Sequence, residues 1–194
     1  WAIQAEHIIV AITVADIDYL GLVTLDWIQP RTHRSGGRSA TIPFGSGVDL
    51  PDQPASGRVD FDSRNLGVSI VYREDATELL AHWREKDGRP GSLSATVAQP
   101  EDHESLNVVI PWSPTQFQFT SKHQARPASG SITAEGDAHE LGGEGEEAWG
   151  ILDIGRGRWP YRTRWNWGGG SAFAAGGEWV ALQIGGTWTD GTGF

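Results

Sequence analysis

Short apolar runs separated by turn residues are the feature that most limits what this chain can fold into. Roughly a dozen such runs recur at about eight- to twelve-residue spacing, and none carries a convincing long helical period. The clearest are Glu6–Val14, Tyr19–Ile28, Leu66–Tyr72, Ser92–Ala98, Leu106–Ile110 and Trp179–Ile184. The pattern predicts an all-β protein, with Thr77–Arg84 open between a strand and a short helix.

Many short antiparallel strands leave edges that must be protected, and closure into a barrel is the usual solution. A barrel of about eight or more strands also leaves room for a ligand in its mouth. We therefore expect an antiparallel β-barrel with a pocket. The length of 194 residues suits a single domain over residues 1–194, and we expect the chain to be part of a longer protein.

Charge and residue usage exclude several function classes. The net charge of -10 argues against nucleic acid, whose phosphates attract basic patches. The absence of cysteine removes disulfides, thiolate nucleophiles and cysteine-based metal sites. The six histidines form no H-x-H or H-E-x-x-H motif, so we expect no metal and no other cofactor. No apolar stretch approaches about eighteen residues and no signal peptide is recognisable, so we expect no membrane span and a cytoplasmic protein.

Aromatic and basic residues concentrate in Ala148–Trp167, which holds four of the ten tryptophans and four arginines. Gly155, Gly157 and Pro160 predict a turn in its middle, and therefore a hairpin. Because side chains alternate across a strand, the first strand of this hairpin would place Trp149, Ile151 and Asp153 on one face. The second strand would place Tyr161, Thr163, Trp165 and Trp167 on one face and Arg162, Arg164 and Asn166 on the other.

The same stretch carries a resemblance to a known family. Its pattern D-x-G-R-G-x-W-P-Y-x-x-x-W-N-W, followed by a Gly/Ala-rich gap and an apolar strand ending in G-G-T-W-T-D-G-T-G, resembles a bacterial family described as domain of unknown function 2804. The opening WAIQAEHIIVAITVADIDYLGLVTL and the middle SLNVVIPWSPTQFQFTSKHQARPASGSI resemble that family in the same order. The resemblance therefore covers most of the chain, and it implies a second β-rich half.

A shorter and more distant resemblance links AWGILD, W-N-W and VALQI to the lipocalin-like carotenoid 1,2-hydratases and their relatives. It implies a lipocalin/calycin-like barrel, here the N-terminal half of a two-barrel protein. It also implies a role for Asp153, because the matching aspartate is the suspected proton donor in those relatives.

Asp153 is the strongest candidate for a catalytic residue. Partial desolvation between Leu152 and Ile154 favours a neutral, proton-donating carboxyl, as a general acid needs. The plainer interpretation pairs Asp153 with Arg156 or Arg158 to fix the turn, and the sequence leaves both open.

The remaining candidates would line a ligand pocket. An aromatic lining suits an apolar ligand, although large rings also serve as ordinary core. Arginine suits an anionic group, although exposed arginines more often form surface ion pairs. Lys122 is one of only two lysines and is a candidate lumen charge. The predicted ligand-binding residues are Trp149, Tyr161, Arg164, Trp165, Asn166, Trp167, Lys122 and Gln183, with Trp179 and Trp188 as further candidates for the lining.

Two functional hypotheses follow. In the first, the protein binds a hydrophobic small molecule in a tryptophan-lined barrel lumen. In the second, it is a cofactor-free hydratase, isomerase or cyclase in which Asp153 acts as general acid on an isoprenoid-like or polyketide-like substrate. Because the chain begins and ends inside strand-like motifs, we also expect a homodimer or a pairing with a second barrel half.

Overall fold

The computed structural model describes residues 1–143 and 146–187, and within them all regular structure is β-strand. Every pairing with a defined register is antiparallel. The prediction of an antiparallel all-β protein is confirmed, and the open segment Thr77–Arg84 is a strand. The strands are β1 Ala2–Ala5, β2 Ile9–Asp16, β3 Leu20–Gln29, β4 Arg34–Pro43, β5 Arg58–Asp62, β6 Leu66–Tyr72, β7 Ala76–Arg84, β8 Pro90–Ala98, β9 Ser105–Ser113, β10 Gln116–Ala134, β11 Asp137–Leu141, β12 Ala148–Arg158, β13 Asn166–Phe173 and β14 Trp179–Gly186.

The chain divides into two compact units, and β10 and β12 contribute to both. The first unit comprises Trp1–Glu101 and Arg126–Gly150, and the second comprises Asp102–Ala125 and Ile151–Phe194. The expectation of a single domain over residues 1–194 remains a prediction.

One sheet accounts for the first unit. Its strands follow the order β4-β3-β2-β1-β12-β10-β8-β7-β6-β5, and β11 pairs with β10. Near one end of this path, β4 also contacts β6 and β7 from the other end. The sheet of the first unit therefore curls back on itself around its buried apolar side chains, which include Ile3, Val23, Leu25, Leu79 and Ile132.

A buried carboxylate joins strands across this core. The Glu85 Oε1 atom accepts hydrogen bonds from the indole Nε1 of Trp27 at 2.9 Å and of Trp83 at 2.7 Å. All three residues are buried. A Cβ at Gly36 of β4 would lie 2.6 Å from the Trp27 ring, so the absence of a side chain there lets β4 cover the indole. Glu85 thus ties β3 to the end of β7 with bonds that are shielded from water.

The second unit contains β9, the first part of β10, the last part of β12, and a hairpin of β13 and β14. Strand β9 pairs with β10 from Ser105↔His123 to Ser113↔Gln116, with a bulge between Gln116 and Phe117. Strands β13 and β14 form a two-stranded sheet of their own. Gly169↔Gln183 and Ser171↔Ala181 are opposite pairs in this hairpin.

The predicted hairpin within Ala148–Trp167 is wrong. Strand β12 continues through Gly155 and Gly157 to Arg158, and residues 161–165 form no strand. A Cβ at Gly157 would lie 2.1 Å from the carbonyl oxygen of Phe117, so this glycine permits close approach of two strands. The Gly/Ala-rich segment, expected as a gap, forms most of β13.

The first predicted strand is also corrected. Glu6–Val14 is interrupted, because β1 ends at Ala5 and β2 begins at Ile9, with a bend at Glu6 and His7. The amide of Ala5 donates to the carbonyl oxygen of Ile8 at 3.0 Å and closes this tight connection. Both short strands therefore lie side by side, in the register Ile3↔Val10.

We predict that Glu85→Ala lowers the free energy of unfolding by about 2–5 kcal/mol, because it leaves two buried indole N–H groups without an acceptor. Glu85→Gln keeps a carbonyl oxygen and should lose less. Glu78→Ala, which removes an exposed ion pair with Arg73, is the control and should change stability little. Urea unfolding followed by tryptophan fluorescence measures all three. Equal losses for Glu85→Ala and Glu78→Ala would contradict the role of Glu85.

Candidate functional site

Strand β10 turns polar side chains inward and aromatic ones outward. Gln118, Thr120, Lys122 and Gln124 alternate along it and are all buried, with at most 7% of each residue exposed. Phe117, immediately before them on the opposite face, is 46% exposed, and Phe119 on that face is half-buried. This inverts the ordinary pattern, in which the apolar face of a strand is buried. We call Gln118, Thr120, Lys122 and Gln124 the polar row, and it lies within the second unit.

An ion pair holds the centre of the polar row. The Lys122 ammonium lies 2.5 Å from Asp153 Oδ2 on β12, and the Thr120 hydroxyl is 3.3 Å from Asp153 Oδ1 and 3.1 Å from the carbonyl oxygen of Ile154. The Lys122 side chain is 7% exposed, whereas that of Asp153 is 41% exposed. A cation that has lost most of its water is thus neutralised by a carboxylate that remains accessible to solvent.

Trp167 of β13 completes the surroundings of the ammonium. Lys122 Nζ lies 5.0 Å from the centroid of the Trp167 ring, within the range of a cation–π interaction. The Trp167 indole Nε1 donates to Gln183 Oε1 on β14 at 3.3 Å. These contacts bring four predicted site residues together, namely Asp153, Lys122, Trp167 and Gln183.

Two glutamines flank the ion pair with unused acceptors. Gln124 Nε2 donates to the Ser171 hydroxyl at 3.1 Å. Within the described residues, the Oε1 atoms of Gln118 and Gln124 are buried without any hydrogen-bond partner. A Cβ at Gly169 would lie 2.7 Å from Gln124 Oε1, so this glycine leaves space beside the amide. Buried polar atoms are normally paired, so two open acceptors on one strand require an explanation.

The other predicted residues are placed differently. Tyr161 is 93% exposed and Trp165 is 57% exposed, and Asn166 also faces solvent. Arg164 is exposed, and its backbone oxygen accepts from the Thr187 hydroxyl at 2.7 Å. Trp149 belongs to the first unit.

Further predictions concern two tryptophans and the ionic partner of Asp153. Trp179 packs edge-on against Phe173 with ring centroids 5.1 Å apart, and Trp188 lies outside the described residues. The sequence suggested Arg156 or Arg158 as the partner of Asp153, but its close ionic partner is Lys122. The residues that surround Asp153 therefore come from β10 and the β13–β14 hairpin rather than from the segment after β12.

Sequence reasoning missed Gln118, Thr120, Gln124 and Ser171. A signal was present, because Q-F-Q-F-T-S-K-H-Q alternates strictly enough to give polar and aromatic faces. The usual assumption would bury the phenylalanines, so the polar face would be assigned to solvent. Only the arrangement of the neighbouring strands reveals that the polar face of β10 is the covered one.

Arg126 shows how a buried polar group is satisfied in the first unit. Its guanidinium donates to the carbonyl oxygens of Ala98 at 2.6 Å and Val97 at 3.3 Å, and it lies 4.9 Å from the centroid of the Trp1 ring. Burial lowers the pKa of Arg126 to about 10, and the nearby Tyr72 opposes this shift. Arg126 is therefore still charged at neutral pH and secures the end of β8.

Besides the polar row, the described part of the chain has two open grooves. They have volumes of about 540 and 590 Å³ and lie in the first unit, and neither includes a predicted site residue. Among residues 1–143 and 146–187, no three histidine, aspartate or glutamate side chains are grouped to hold a metal ion. The same residues include no helix long and apolar enough to cross a membrane.

We predict that removing the two partners of the ion pair has unequal effects. Asp153→Asn removes the negative charge that faces a buried ammonium and should lower the free energy of unfolding by about 1–3 kcal/mol. Lys122→Met leaves a carboxylate that water can solvate, so it should cost less. The double variant Lys122→Met/Asp153→Asn should recover part of the stability that Asp153→Asn loses. Urea unfolding of the unaltered protein and these three variants tests this. A larger loss of stability for Lys122→Met than for Asp153→Asn would contradict it.

Comparison with known proteins identifies the family. No curated protein and no solved structure matches the chain. The model of one family, described as "Domain of unknown function (DUF2804)", matches residues 1–194. Since this match spans the whole sequence, the chain belongs to the family of domain of unknown function 2804.

Proposed function

We propose that the protein binds a hydrophobic small molecule that carries a hydroxyl or other hydrogen-bond donor, in a lipocalin-like manner. The observation that carries this proposal is the polar row, with its two open acceptors at Gln118 and Gln124. An unpaired buried carbonyl costs about 1–3 kcal/mol. A donor on the ligand would recover that cost and would fix the orientation of the ligand.

The surroundings of the polar row support an otherwise apolar ligand. The Trp167 ring is 40% exposed and offers a flat apolar surface, while its Nε1 is already held by Gln183. Lys122 and Asp153 neutralise one another, so the centre of the row favours a neutral ligand over a strongly charged one. A neutral molecule with one polar end and a long apolar body matches both features.

The partner of the whole protein is a separate proposal. A second β-barrel half or a second copy of the chain remains our expectation from the sequence, because the family resemblance implies a second β-rich half.

A cofactor-free hydratase or cyclase with Asp153 as general acid is the second candidate. Two observations support it: the Asp153 side chain stays 41% exposed, and its Oδ1 atom lies 3.3 Å from the Thr120 hydroxyl. Its ion pair weighs against it, because Asp153 Oδ2 is already engaged by the Lys122 ammonium at 2.5 Å. The binding function is therefore our first choice.

Farnesol and its hydroxyl-free counterpart farnesene test the binding function, with quenching of tryptophan fluorescence as the measurement. We predict that the protein binds farnesol about tenfold more tightly than farnesene, because only farnesol can donate to an open acceptor. The double variant Gln118→Leu/Gln124→Leu should bind both equally. Gln53→Leu, at an exposed position of the first unit, is the control and should retain the preference. Equal binding of both compounds by the unaltered protein would contradict the proposal.

Asp153→Asn separates the second candidate from the first. If the protein only binds, incubation with farnesol leaves the compound chemically unchanged with both the unaltered protein and the variant. If Asp153 is a general acid, the unaltered protein produces a hydrated or rearranged product and the variant does not. Gas chromatography with mass spectrometry of the extracted compound separates isomers from farnesol, and a product that requires Asp153 would favour catalysis over binding alone.

A further inference from the structure

The segment formed by the end of β12 and the connection to β13 combines exposed arginines with aromatic residues. Residues 156–165 read R-G-R-W-P-Y-R-T-R-W, with four arginines, three aromatic residues and no acid. The chain as a whole carries a net charge of -10. We call residues 156–165 the arginine–tryptophan segment, and all of it lies in the second unit.

Three of the four arginines of this segment have no carboxylate partner within the described structure. Arg158, Arg162 and Arg164 are exposed, and no described carboxylate forms an ion pair with any of the three. Five of the nine arginines of the first unit are paired instead: Arg31 with Glu6, Arg34 with Glu135, Arg58 with Asp60, Arg73 with Glu78 and Arg89 with Asp87. Three unpaired guanidinium groups clustered within residues 158–164 of an acidic protein mark a site for an anionic partner.

Aromatic rings stand beside these charges. Trp159 packs edge-on against Trp112 at 5.5 Å and against Trp165 at 5.4 Å between ring centroids. Trp159 is 36% exposed, Trp165 57% and Tyr161 93%. The mutual packing gives the tryptophans a defined orientation, yet it leaves much of their surface in water. Rings with one polar end are favoured where an apolar layer meets a polar one.

We propose that the arginine–tryptophan segment docks on the surface of an anionic lipid bilayer. Such a surface supplies both partners at once, because its head groups attract guanidinium and its acyl boundary accepts tryptophan and tyrosine rings. The negative charge elsewhere on the chain does not prevent this, since ionic screening acts within about 8–10 Å at physiological salt. The proposal is independent of the proposed small-molecule function.

A polynucleotide fits the same segment less well. Phosphate-backbone binding is favoured by a basic track or an overall basic domain, and here three free arginines are set in a chain of net charge -10. Binding to a polynucleotide is therefore the competing outcome in the test.

Co-sedimentation with lipid vesicles tests the proposal. The unaltered protein should bind vesicles in which a third of the phosphatidylcholine is replaced by phosphatidylglycerol, and it should bind vesicles of phosphatidylcholine alone much more weakly. Added salt should weaken the binding. Arg158→Gln/Arg162→Gln/Arg164→Gln should reduce partitioning roughly 100-fold, at about fivefold for each arginine near an anionic surface.

Two further variants separate a local effect from a change in total charge. Arg31→Gln/Arg58→Gln/Arg73→Gln changes the net charge equally at paired arginines and should leave vesicle binding unchanged. Tyr161→Ala, at a side chain with little contact to lose, should weaken binding without altering the circular dichroism spectrum. An equal loss in the two arginine triple variants would overturn the proposal. So would equal binding to both kinds of vesicle, no vesicle binding, or binding to single-stranded DNA in place of vesicles.

Discussion

The pairing of Lys122 with Asp153 is the interaction on which the second unit depends. Strand β10 buries an ammonium group, and a buried ammonium requires a counter-ion close by. Asp153 supplies it from β12, and Trp167 supplies a ring face from β13. One lysine therefore determines which residues of three separate strands must meet. The side-chain amides of Gln118 and Gln124, on the same face of β10, have carbonyl oxygens that no described residue hydrogen-bonds.

The two units differ in how several of their large buried polar side chains are hydrogen-bonded. In the first unit, Glu85 receives two indole N–H groups and Arg126 donates to two carbonyl oxygens, so the polar groups bind strands together. In the second unit, Gln118 and Gln124 keep open acceptors. A satisfied group adds stability and specificity to a core, whereas an open acceptor is useful only if something else can fill it. This contrast is why we place function in the second unit.

The sequence predicted the fold class better than it predicted the arrangement of the strands. Periodicity and turn residues led to an antiparallel all-β protein, and the structure brings Asp153, Lys122, Trp167 and Gln183 together, although their role as a site remains a prediction. The hairpin after Asp153 was wrong, because Gly157 resembles a turn residue but serves to let β12 approach β10. The polar row was missed, because the alternation along β10 separates two faces but does not indicate which of them other strands cover.

Untargeted mass spectrometry of the small molecules that co-purify with the protein tests the central claim most directly, since it requires no prior choice of ligand. The account predicts an apolar compound with at least one hydroxyl or similar donor, released on denaturation of the unaltered protein and absent from Gln118→Leu/Gln124→Leu purified in parallel. Retention of the same compound at the same level by this folded double variant would contradict the assignment of the polar row as the binding site.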